Sequence, residues 1–180
     1  MRAFLSRRVL SCLERRTPQW VRSLELQILL NLAAESFGQE KKYIWRLPPE
    51  EALSAYAAYT VACMESTKAD PGRLYQSAFR LGRRLRFVCG LREEKDLQRL
   101  VFYLYRNIRI DMRGSLPGEL LIPCCFFSRR YTPAQCAVMS NADAGVIAGL
   151  YGGGSLRFTA RLTEGCSHCR ACFKKEGDRP

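Results

Sequence analysis

Histidine is almost missing from this 180-residue chain: His168 is the only one, so any Cys/His catalytic pair must be built on it. Long apolar runs are missing too. None approaches the roughly 20 residues that a membrane-spanning helix needs, so no membrane partner is expected. The start, Met1-Arg2-Ala3-Phe4-Leu5-Ser6-Arg7-Arg8-Val9-Leu10, is positively charged without a continuous apolar core, which makes a poor secretory signal. Its Arg-rich, acid-poor character to Leu13 mimics a transit peptide, and an exposed amphipathic helix is the preferred reading. Gly152-Gly153-Gly154 has no Gly-Lys-Ser/Thr after it and a helix rather than a strand before it, which excludes a phosphate loop and leaves a turn. No repeat period, low-complexity segment or nucleic-acid module is present. The basic residues are not interleaved with aromatics, so nucleic acid is disfavoured as a partner.

What the chain does have is cysteine and positive charge. Nine cysteines without a signal peptide point to a reducing, cytoplasmic setting, with free thiols or metal ligands rather than a disulfide framework. The formal net charge of +12 gives a basic surface that attracts phosphates or acidic partners. Arg73, Arg80 and Arg84 share one helix face, with Arg83 beside them. Guanidinium forks there would suit an anion site or an acidic partner, but a solvated helix face is the simpler account.

Apolar residues at helical spacing mark four helices in the first 113 residues. Thr17-Pro18 starts one that runs through Leu26, Leu29, Leu30, Ala33 and Phe37 to a stop at Gly38. Pro48-Pro49-Glu50-Glu51 opens a second, with acids in its first turn and Leu53, Ala57, Val61 and Met64 on one face. Asp70-Pro71-Gly72 opens a third carrying Leu74, Ala78, Leu81, Leu85 and Val88. Glu93 to Asn107 is a fourth, with Leu97, Leu100, Val101, Leu104 and Ile108 inward.

After Arg113-Gly114-Ser115-Leu116-Pro117-Gly118 the composition shifts. Glu119 to Phe127 reads as a short strand, with Pro123 requiring an edge or a bulge. Thr132-Pro133-Ala134-Gln135 is a capping box. The helix it opens places Cys136 and Asp143 on one face, about 10 Å apart along the axis, and an acid on an apolar face is the least ordinary placement in the chain. Leu156, Phe158, Ala160 and Leu162 alternate with polar residues as a half-buried strand. Glu164-Gly165-Cys166-Ser167 turns it back, and Cys169, Ala171 and Phe173 face inward on the return. The expected fold is α+β: a helical N-terminal layer packed on a small antiparallel sheet with a C-terminal Cys-rich hairpin. Residues 1–116 form the helical part and 117–180 the strand-helix-hairpin part, in one compact domain.

Six of the nine cysteines and the histidine lie between Cys124 and Cys172. Cys166-x2-Cys169-x2-Cys172 with His168 is the candidate zinc set, because a Cys-x2-Cys turn can aim two thiolates at one ion. Zinc needs four ligands, and strand alternation sends Cys169 and Cys172 to opposite faces, so metal and free buried thiols both stay open. An iron–sulfur cluster is disfavoured because no Cys-Pro follows the triplet. A thiol nucleophile would need a nearby base or positive charge, which Arg161, Arg170 or His168 would supply, and Asp143 would serve as base or orient water. Arg161, Arg170 and Glu164 are the candidate ligand-binding residues.

Cys125-Phe126-Phe127, Cys136 on a helix, Asp143 two turns later, and Gly165 four residues ahead of Cys169-Arg170-Ala171 resemble the L-2-amino-thiazoline-4-carboxylic acid hydrolase-like family. The layout is also similar to the small-molecule-binding domains named after 4-vinyl reductase. The first resemblance implies hydrolytic ring opening of a small cyclic C–N substrate, with Cys125, Cys136, Asp143 and Cys169 at the site. The second implies a non-enzymatic ligand sensor, in some members with a cysteine-bound zinc. Departures are visible: the family's Cys-Pro is here Pro123-Cys124-Cys125, the acid after the hairpin glycine is Cys166, and the apolar residue after Cys-Arg is Ala171. A small-molecule ligand is the expected partner, and a homo-oligomer is left open.

Overall fold

Proline and glycine punctuate the helices much as the spacing predicts. A computed structural model describes residues 10–12, 14, 16–66 and 70–177. The amphipathic-helix reading of the N-terminus rests mainly on residues outside these. Helix α1 (Gln19–Phe37) ends at Gly38, whose left-handed φ of 65° lets its N–H reach back to the Ala34 carbonyl. At its start Pro18, not Thr17, occupies the cap position, without a side-chain cap bond. Helix α2 is Pro49–Ser66. Helix α3 (Pro71–Cys89) is capped by Asp70, which accepts from the N–H groups of Gly72 at 2.9 Å and Arg73 at 3.2 Å. Helix α4 is Glu94–Asn107. The α3 stripe is shorter than predicted: Leu74 and Ala78 are buried, whereas Val88 is 72% exposed because the last turn runs past its neighbours.

The sheet has four antiparallel strands in the order β1-β2-β4-β3: β1 Ile110–Gly114, β2 Gly118–Cys125, β3 Ser155–Ala160 and β4 Cys169–Lys174. Strand β1 is absent from the sequence reading. Only Ile110 and Met112 alternate inward in it, too short a pattern to stand out behind a helix. With β1 and β4 on either side, β2 is an interior strand, so of the two settings expected for Pro123 the bulge is the one realised. Pairing of β2 with β4 ends at Ile122, and the β1 register shifts between Asp111 and Arg113, opposite this stretch. Pro123 therefore sits where no ladder N–H is required. Phe126–Arg129 leaves the strand as a 3-10 turn, which lets Phe127 bury itself edge-on to Tyr56 at 5.8 Å and stacked on Tyr131 at 5.3 Å. Leu162, expected on a strand, likewise lies in a 3-10 turn, Leu162–Glu164, after β3 shifts register.

Helix α5 (Pro133–Tyr151) joins β2 to β3 and shows both halves of the predicted capping box. Leu120, Ile122, Cys169, Ala171 and Phe173 are buried on the inner sheet face, while Leu121 and Arg170 face outward. Burying each of Leu26, Leu30, Leu53, Leu74, Ile147, Leu150 and Phe173 contributes about 2 kcal/mol. The most extensive helix contact is between α3 and α5. It depends on three glycines: a Cβ on Gly82 would strike the Val146 carbonyl, one on Gly145 the Tyr75 carbonyl, and one on Gly149 the Phe79 carbonyl. Among the described residues no helix is long and apolar enough to cross a membrane.

Candidate functional site

Where α5 diverges from α3 it leaves a cavity of about 270 Å³. Val21, Leu24, Glu25, Ile28, Leu29 and Leu32 of α1 form one wall, and Leu81 and Leu85 of α3 a second. Tyr103, Leu104 and Tyr105 of α4 face Cys136, Met139, Ser140, Ala142 and Asp143 of α5, with Cys125, Phe127 and Tyr131 completing the lining. Leu24 and Ile28 are 45% and 40% exposed, so α1 carries apolar surface from the cavity to the outside.

Two carboxyl groups interrupt this apolar lining. Asp143 accepts a 2.8 Å hydrogen bond from the Tyr105 hydroxyl. Burial raises its pKa to about 6, with Tyr105 pulling the other way. Glu25 accepts from Asn107 Nδ2 at 2.9 Å, and burial raises it to about 8, opposed by Asn107 and then by the charge of Arg22. Both side chains are only half-buried by surface, and the exposure they keep is toward the cavity they line. Tyr103, 4% exposed, also lines it, and its buried hydroxyl has no hydrogen-bond partner. Near neutral pH, Asp143 can take or give a proton here, and Glu25 is mostly a neutral acid.

The cysteines divide by position. Cys125 and Cys136 are on the cavity wall, and Cys169 is buried behind them, its Sγ accepting from the Leu162 N–H at 3.3 Å. Cys136 and Asp143 both act on the Cys169 thiol electrostatically, and Cys169 and Asp143 on Cys125. The four residues named by the thiazoline-hydrolase resemblance thus occupy one neighbourhood. Burial pushes Cys125 up to about 12 and raises Cys136 and Cys169 as well. For Cys136 the opposing pulls are the Thr163 hydroxyl, Arg161 and the Ser140 hydroxyl, and for Cys169 the Leu162 N–H and Arg161. Arg161 therefore acts in the expected direction, but desolvation wins and the thiols stay protonated at neutral pH. Its guanidinium lies over the Phe158 ring at 5.0 Å and reaches Glu164 at 3.4 Å. Arg170, in contrast, points from the outer sheet face into solvent.

The hairpin set is spread out. Cys166 is exposed in the turn, Cys169 is buried, Cys172 is half-buried on the opposite face of β4, and His168 Nδ1 meets Ser167 Oγ at 2.9 Å. As placed, Cys166, Cys169, Cys172 and His168 do not form the tetrahedral shell that zinc needs. Among the described residues no group of three or more His, Cys, Asp or Glu side chains could hold a metal ion. The α3 arginines are exposed, and Arg80 is engaged by Ser77 at 3.0 Å and Glu35 at 3.3 Å.

Glu25, Tyr103 and Tyr105 did not emerge as site residues from the sequence. Glu25 had a signal: it falls four residues before Leu29 and four after Val21, on the apolar face of α1. The tyrosines had none, since an aromatic at helical spacing reads as core. Fold and site together define an α+β domain enclosing an apolar cavity with a few polar groups. Comparison with protein-family models, curated proteins and solved structures gave no match.

Proposed function

We propose that this protein is a small-molecule-binding domain that encloses a compact ligand in the cavity between α1, α4 and α5. One observation carries the reading: a 270 Å³ space with an almost wholly apolar lining and a few polar groups, the composition of ordinary ligand pockets. A cavity of about 150 Å³ holds benzene, so this one takes a ligand of about ten non-hydrogen atoms. The layout shared with 4-vinyl-reductase-type domains supports the same function. A fragment screen read on the Met139 methyl resonance tests it. Fragments of that size should shift the resonance in the native protein and lose their effect in Ala142→Phe, which fills the space, while that variant keeps its cooperative melt. A full screen that leaves Met139 unmoved overturns the reading.

Hydrolysis of the thiazoline type is the second reading, favoured by the placement of Asp143 beside the cavity with a pKa near 6. Asp143 would take the proton from a water whose oxygen adds to the C=N carbon of a cyclic substrate, the C=N pair passing to the nitrogen. Collapse of the adduct then breaks the bond from that carbon to a ring heteroatom, which leaves with the proton returned by Asp143. The protonated thiols of Cys125, Cys136 and Cys169 would shape the pocket rather than attack. A carboxylate on the substrate would meet no cation among the described lining residues. On this reading Asp143→Asn abolishes turnover of a cyclic amidine-like substrate and Cys136→Ser leaves most of it. The reverse pattern would assign catalysis to the thiol.

A further inference from the structure

The cavity's charge is opposite to that of the chain around it. Among the described residues no Lys or Arg lines the cavity, whereas two carboxyl groups do. Each carboxyl accepts one side-chain hydrogen bond, at Glu25 Oε2 from Asn107 and at Asp143 Oδ1 from Tyr105. No described residue hydrogen-bonds Glu25 Oε1 or Asp143 Oδ2, which leaves both for a ligand. Aromatic rings of Tyr56, Tyr103, Tyr105, Phe127 and Tyr131 share the lining, and the negative faces of such rings attract cations.

We propose that the ligand of this cavity is a compact organic cation, an aryl- or alkylammonium, whose charge is met by Glu25 while its hydrocarbon body fills the apolar wall. The proposal rests on the binding-domain reading and specifies its ligand class. An anion would meet no counter-charge among the described lining residues, and a neutral hydrocarbon would leave the carboxyls unsatisfied. The cation supplies what burial withholds, a stabiliser for the ionised carboxyls. Glu25, at about 8, therefore gives up its proton when the cation enters at pH 7. Arg22, which acts on Glu25 but is not part of the lining, favours ionisation without occupying the site. Around Asp143 stand Tyr56, Tyr105, Tyr131, Cys125, Cys136 and Cys169, all neutral at that pH with their pKa values raised.

Calorimetric titration of the full chain with three probes of matched size tests the charge: phenethylammonium, 2-phenylethanol and phenylacetate. The ammonium should bind at least tenfold more tightly than the alcohol, and phenylacetate should give no heat. Repeating the ammonium titration in buffers of different ionisation enthalpy should show about one proton released. Glu25→Gln should lose about tenfold for the ammonium and Asp143→Asn clearly less, while both keep the alcohol, which shows that the cavity is intact. Equal affinity for ammonium and alcohol overturns the charge assignment and leaves the binding-domain reading standing. Silence of all three probes overturns both.

Discussion

From Gly145 to Tyr151 every residue of α5 is buried, pressed onto α3 through glycines that allow backbone to meet backbone. From Pro133 to Ala144 the same helix is half-buried or exposed at every residue except Ser140, and five of its side chains face empty space. One half is packed as tightly as a helix pair can be, and the other lines a void. A dry void of 270 Å³ would cost about 6 kcal/mol at about 24 cal/mol per Å³. The tight half anchors α5, so the loose half need not collapse to fill that space. Rigidity at one end of the helix and the site at the other are parts of one arrangement.

The largest way to break this contrast is at the anchor. Gly149→Val drives a side chain into the Phe79 carbonyl and should cost about 3 kcal/mol or more, seen as a lower denaturant midpoint or as loss of the cooperative transition. A normal midpoint would mean that the glycine contact is dispensable. On the cavity side, Tyr105→Phe removes the donor to Asp143. Since that hydrogen bond favours the ionised carboxylate, the loss should be about 2 kcal/mol at pH 8 and clearly smaller at pH 5, where Asp143 is protonated. A loss independent of pH would assign the tyrosine to packing alone.

A comparable but pH-dependent effect is expected of Glu25. Its folded pKa is raised from 4.5 to about 8, so the folded state holds a proton that the unfolded chain has already released. Native stability is full below 4.5 and falls as pH rises through 8. The half-open position limits the effect to about 2 kcal/mol. Thermal melts from pH 5 to pH 9 should decline in the native protein and flatten in Glu25→Gln, and parallel curves would place the Glu25 carboxyl in bulk water. Smallest of all is the outer surface: Arg80→Ala, which removes an exposed pair with Glu35, should change stability by under about 0.5 kcal/mol.

The legible part of the site was the part written in local spacing. Cys136 and Asp143 lie seven residues apart, and any α-helix brings that spacing onto one face. Cys169 alternates inward with Ala171 and Phe173 because a strand requires it. Glu25 escaped although it shares a face of α1 with Val21 and Leu29, because one acid in a helix is ordinary until the element opposite is known. Strand alternation also separated Cys169 from Cys172, and β4, which begins at Cys169, places them on opposite sheet faces.

By itself the sequence determined the helices, most of their caps and stops, the hairpin and the inward faces of β3 and β4. These follow from periodicity, proline and glycine, which act over a few residues. Only the tertiary structure decided that α1 and α4 stand opposite α5, and so that Glu25, Tyr103, Tyr105, Asp143 and two cysteines share one space. It also decided that burial overrides Arg161 and keeps those cysteines protonated. Both outcomes depend on what lies across the core, dozens of residues away in the chain, where desolvation rather than local propensity sets the chemistry.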